Sequence, residues 1–176
     1  FAAATDRHGN CYIAGYFQES ADFDPGPGVH ELSSAGFFDV FILKLDSGGN
    51  YQWARSFGSE NNDFAYAVAV DTQGSVFTAG WFVGEVDLDP GTGSAFFMSE
   101  GIADAFIQKL DSAGNFVWGR TFGGPSSDEV SSLATDASGN VYATGWFYET
   151  VDFDPGMGTA LLTSAGATDI FIQKLD

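Results

Sequence analysis

Residues 151–156 read "VDFDPG", and near-copies stand at 21–26 ("ADFDPG") and 86–91 ("VDLDPG"). Asp22, Asp87 and Asp152 are spaced 65 residues apart, and so are Asp24, Asp89 and Asp154. The same period of 65 links Gly15, Gly80 and Gly145, then Phe17, Phe82 and Phe147, then Asp39, Asp104 and Asp169. It also links three copies of Phe-Ile, each followed shortly by Lys-Leu-Asp at 44–46, 109–111 and 174–176. No insertion or deletion separates the copies. A fixed period of this size means stacked supersecondary units, because one unit alone cannot bury its apolar faces. The chain divides into units 1–64, 65–129 and 130–176, the third lacking its last strand. It opens on "FAAATDRHGN" and stops at "FIQKLD", each partway through a unit, so it reads as a piece of a longer polypeptide.

The middle unit shows what each copy contains. "AYAVAV" (65–70), "SVFTAGWF" (75–82), "AFIQKLD" (105–111) and "FVWGRTF" (116–122) are short runs rich in β-branched and aromatic residues. "DTQG" and "DSAGN" separate them, with Asp placed to bond the turn backbone and Gly placed for the left-handed conformation of a hairpin. With 23 Gly and no sustained helical periodicity, the expectation is all-β. Val76 and Phe82 point to one face of their strand, Phe77 and Trp81 to the other. A sheet apolar on both faces needs cover on both sides. Four-stranded antiparallel sheets stacked face to face are the blades of a β-propeller. "VDLDPGTGSAFFMSEG" would then form an extra hairpin or loop between the second and third strands. Fewer than three full units imply a partial ring, an open array, or a ring completed by further repeats or chains.

These residues carry a resemblance. "SVFTAGWF", "DAFIQKLDSAGNFVWGRTFGG" and "DEVSSLATDASGNVYATGWF" are similar to the SBBP β-propeller repeat, and the D-[FL]-D-P-G version resembles tandem repeats of large exported bacterial surface proteins. The resemblance implies an extracellular or cell-surface propeller with little assigned chemistry.

Composition narrows the partners. A net charge of −18 with six Lys and Arg opposes nucleic acid, where basic side chains supply the affinity. The same charge opposes anionic membrane surfaces and attracts cations. No apolar run is long enough for a membrane-spanning helix. The single Cys11 shares its phase with Val76 and Val141 and reads as a small core residue.

All 17 Asp fall on phases shared between units, whereas of the seven Glu only Glu19 and Glu149 share one. The short carboxylate is therefore wanted for local geometry. Asp6, Asp71 and Asp136, like Asp46, Asp111 and Asp176, precede hairpin turns. Asp63 and Asp128 read as loop caps. In D-x-D-P-G two carboxylates project from one face of an extended segment, about 7 Å apart, and something must offset their repulsion. Three offsets are open: Ca²⁺, backbone N–H donors of the Pro-Gly turn, or the phase-locked Lys44, Lys109 and Lys174. Calcium would be held by Asp22, Asp24, Asp87, Asp89, Asp152 and Asp154, with Asp39, Asp104 and Asp169 as further candidate ligands.

Enzyme motifs are missing: there is no nucleophile elbow, phosphate loop or zinc-protease helix, and His8 and His30 do not recur. The expectation is a non-enzymatic extracellular structural protein, a calcium-stabilised building block of a surface layer, fibre or adhesin. Its expected partners are copies of itself or of the same repeat. The competing class is a carbohydrate- or protein-binding module, with a glycan stacked on Trp81, Trp146 and Tyr16.

Overall fold

The computed structural model describes all of residues 1–176, and every regular element in it is a strand. In the first unit β1 (Ala2–Thr5), β2 (Cys11–Asp22), β3 (Glu31–Leu45) and β4 (Tyr51–Phe57) form an antiparallel meander in that order. In the second, β5 (Asp63–Val70) and β6 (Val76–Phe82) are followed by a short hairpin, β7 (Glu85–Asp87) with β8 (Phe96–Met98). β9 (Asp104–Leu110) and β10 (Phe116–Phe122) then complete a four-stranded sheet in the order β5-β6-β9-β10. The third repeats the plan with β11 (Glu129–Thr135), β12 (Val141–Phe147), the hairpin β13 (Thr150–Asp152) with β14 (Leu161–Thr163), and β15 (Asp169–Leu175). None of the sheets closes on itself. In the first unit β2 and β3 simply run on into the extra hairpin, past a bulge at Glu19.

Turn chemistry sets the connections. Asp136 Oδ1 accepts the N–H groups of Ser138 and Asn140 at 2.8 and 3.0 Å, and its Oδ2 accepts the Asn140 amide at 2.7 Å. The Gly139 N–H closes the turn onto the Asp136 carbonyl, with φ +87° at the glycine. Asp6, Asp46 and Asp111 repeat the arrangement with Asn10, Asn50 and Asn115. The Asn140 amide, aided by the two backbone donors, holds the Asp136 carboxyl down at about 2. These aspartates are turn locks.

The core lies between sheets rather than within any one. Tyr12, Val40, Ile42, Trp53 and Phe57 of the first sheet join Val76, Phe82, Phe106 and Leu110 of the second in one cluster. Ala79, Ala105, Ile107 and Phe122, from the second sheet, join Val130, Ala143, Phe147 and Phe171 of the third. The middle sheet is thus apolar on both faces and covered on both, as the composition of β6 demands. The outer sheets show what happens without a neighbour: on β15, Ile170 and Ile172 are 80% and 79% exposed. Cys11 is only half-buried, where Val76 and Val141 at its phase are buried. The first strands of the units converge, β5 packing on β1 and β11 on β5. The whole is a partial propeller, three stacked blades with the first strand of each innermost.

Candidate functional site

The D-x-D-P-G hairpin works as a clamp with two faces. Its apolar residues point inward: Val86 and Leu88 enter the cluster shared by blades one and two, and Val151 and Phe153 enter the next. There they meet a phenylalanine from the last strand of the preceding blade. Phe57 lies 5.4 Å from Phe106, edge to face, while Phe122 lies 5.3 Å from Phe153 and 5.2 Å from Phe171. Gln108 donates its side-chain N–H to the Leu88 carbonyl at 2.7 Å, and Gln173 does the same for Phe153 at 2.6 Å. Each hairpin is thereby fastened to the third strand of its own blade.

The aspartates form the other face. Asp87 Oδ1 accepts the N–H of Asp89 at 3.0 Å and of Ala95 at 2.7 Å, joining the two arms of the hairpin. Asp22 bonds Asp24 and His30 in the same way, and Asp152 bonds Asp154 and Ala160. Asp24, Asp89 and Asp154 each accept the N–H two residues on, from Gly26, Gly91 and Gly156. The backbone donors of Asp24 and His30 hold Asp22 below the ordinary carboxylate range, and those of Ala160 and Asp154 do so for Asp152. The loop then folds over the second carboxylate: a Cβ added at Gly28, Gly93 or Gly158 would run into Oδ2 of Asp24, Asp89 or Asp154.

Of the two offsets that the protein's own groups could supply, the backbone donors are the one in place. Lys44, Lys109 and Lys174 instead lie over the rings of Tyr12, Phe77 and Tyr142, at 5.1, 4.8 and 5.7 Å from their centres. Asp22 Oδ1 accepts two N–H groups and Asp24 Oδ1 accepts one, and no three acidic or imidazole side chains gather at the hairpins. A calcium ion, which takes six to eight oxygens, would have to draw most of them from loop carbonyls and water.

Asp39 and Asp104 belong elsewhere, at the blade junctions. Asp39 accepts the Ala35 N–H, and Asp104 accepts that of Glu100. Across each junction lies a second buried acid. Asp63 accepts the N–H and hydroxyl of Ser59 at 2.7 and 2.9 Å, and Asp128 accepts N–H groups of Gly124 and Tyr148. Oδ1 of Asp39, Asp63 and Asp104 is buried without a partner. Burial, reinforced by the like charge of Asp39, pushes Asp63 up to about 6. Burial and Asp128 do the same to Asp104, also about 6. Asp169, with no blade beyond it, is only half-buried. The loop-cap reading of Asp63 and Asp128 describes their bonds and misses their depth, which depends on contacts between units.

The aromatic candidates also sit at junctions. Tyr16 lies 4.3 Å from Phe64, and Phe64 lies 4.6 Å from Trp81, so Tyr16 packs inside the first junction. Trp81 and Trp146 are half-buried at the second. Arg55 and Arg120 stack on Trp53 and Trp118, on the faces expected from their strand positions.

Stacked antiparallel blades, two of four strands and one of three, a clamp hairpin repeated in register and an interblade core define a β-propeller repeat protein. Residues 117–146 match the SBBP family, described as a beta-propeller repeat. Two curated relatives align over most of the chain. An uncharacterized WD repeat-containing protein of Acanthamoeba polyphaga mimivirus is 26% identical across 96% of it. The regulatory protein FlaEY of Caulobacter vibrioides is 33% identical across 79%. The chain spans only 14% and 16% of the lengths of these relatives.

Proposed function

We propose that the chain is a non-enzymatic structural repeat, a building block of a surface layer, fibre or adhesin outside the cell, that assembles with further copies of the same repeat. The observation that carries this reading is that one interface is used twice. Phe57 enters the second blade and Phe122 the third by the same route, against a hairpin residue and a third-strand phenylalanine. Such a head-to-tail contact generates a ring where the rotation closes and a filament where it does not. The exposed Ile170 and Ile172 mark the side of the third blade where a further blade would sit. An acidic surface and the resemblance to exported repeat proteins support the location outside the cell. The loop carboxylates are offset by backbone donors, so in this proposal the hairpins keep their shape without calcium.

Native mass spectrometry and negative-stain electron microscopy across a concentration series test the assembly. Rings or filaments of regular repeat are the expected result, and a monomer at every concentration overturns it.

A further inference from the structure

The repeat is broken where the second and third blades meet. At the first junction β5 carries Phe64, paired in register with Trp81. The Phe64 ring lies 4.6 Å from that of Trp81, 4.3 Å from Tyr16 and 5.4 Å from Phe38. The space is filled with rings. One period later, Glu129 stands at the phase of Phe64 and Ala103 at that of Phe38, while Trp81 and Trp146 take the places of Tyr16 and Trp81. Glu129 pairs in register with Trp146, as Phe64 does with Trp81. Loss of two benzyl groups leaves a cavity of about 360 Å³, walled by Tyr66, Trp81 and Trp146 with Ala103, Asp128 and Glu129.

The lining dictates the ligand. Three aromatic residues line it, and the face of an aromatic ring attracts a cation near its centre. Two carboxylates supply counter-charge, and no Lys or Arg is among the lining residues, so an anion finds nothing to pair with. Asp128 is already engaged by the Gly124 and Tyr148 N–H groups, whereas Glu129 meets only side chains, Ser131 at 2.8 Å and Trp146 beside it. A hard metal ion would need a cage of oxygens that these rings do not offer. A cation with its charge spread over carbon-bound groups suits both the rings and the carboxylate. We propose that this junction binds a small organic cation, an alkylammonium group, in the cage of Tyr66, Trp81 and Trp146 with Glu129 as its counter-ion. The first junction, filled by Phe64 and Phe38, is the built-in control. The site stands independently of the assembly role, since it uses one junction that the repeat itself does not copy.

Titration of the full chain with choline, tetramethylammonium and n-butylammonium chlorides at constant ionic strength tests the proposal, read by tryptophan fluorescence and calorimetry. Saturable one-to-one binding of at least one cation is expected, and the quaternary and primary arms separate the two ammonium types. Glu129→Gln should weaken it about tenfold, the scale of a part-buried cation contact. The double variant Ala103→Phe with Glu129→Phe rebuilds the first junction and should fold and bind nothing. If that double variant does not melt cooperatively, Glu129→Gln decides alone. No saturable cation response, unchanged affinity in Glu129→Gln, or binding of glucose in place of the cations overturns the proposal.

Discussion

Lowering the pH from 7.5 to 5 should stabilise this protein, opposite to the usual acid response. The perturbed groups are Asp63 and Asp104, 0% and 2% exposed at the blade junctions and raised by burial from 3.8 to about 6. An acid whose folded pKa is raised holds its proton more tightly folded than unfolded. Its stabilising effect is complete below the unfolded value and is lost as pH rises through the folded one. The window is therefore about pH 4 to 6. A rise of about two units is worth about 3 kcal/mol per group at neutral pH, of which about half returns by pH 5. Two groups return about 3 kcal/mol, or about 6–12 °C in Tm for a chain of this size. Asp136, held at about 2 by the Asn140 amide, stays ionised throughout and loses nothing. The assay is thermal unfolding by circular dichroism at pH 7.5, 6.5, 5.5 and 5.0, kept above the isoelectric point near 4.1. Relief of the −18 net charge also favours lower pH. The double variant Asp63→Asn with Asp104→Asn separates the two effects: it keeps the general charge relief and should lose most of the pH slope. A Tm that falls between pH 7.5 and 5, or an equal slope in the variant, refutes the reasoning.

Four further outcomes follow from the geometry of the blades and their hairpins. Phe122→Ala should cost about 3–5 kcal/mol in urea unfolding, because its ring fills the space between Phe153 and Phe171. Gly101→Ala should destabilise by about 1–3 kcal/mol, since its Cβ would meet backbone atoms of Gly124, Pro125 and Ser126. Gly166→Ala, at the same phase with open space around it, should leave the urea midpoint unchanged. A chelator should leave the thermal midpoint where it was, because N–H groups already offset Asp87 and Asp152; a drop of several degrees would restore calcium to the loops.

Much of this architecture could be read from spacing. Turn aspartates announced themselves because a carboxylate bonding the chain two and four residues on is a local matter, complete within "DASGN". The apolar faces of β6 announced the need for neighbours, since the pattern lies in one strand. What spacing hid was whatever depends on two units at once. Asp63 reads as an ordinary loop residue until the preceding blade covers it. The left-handed backbone at Glu19 and Glu149, φ 61° and 56°, had only a faint signal in Gly84 at the same phase. The cavity at Glu129 had a sharper one: a charged residue where the preceding unit has Phe64. Comparing units for their differences, rather than their identities, would have found it.

The central claim is that a blade greasy on both faces holds its shape only when clamped. Residues 63–122, the middle blade expressed alone, test it most directly by far-ultraviolet circular dichroism and a two-dimensional amide NMR spectrum. The account predicts a disordered or aggregating fragment with collapsed amide dispersion, beside a cooperatively folded three-blade chain. A monomeric fragment with dispersed amide signals and a cooperative melt would contradict it.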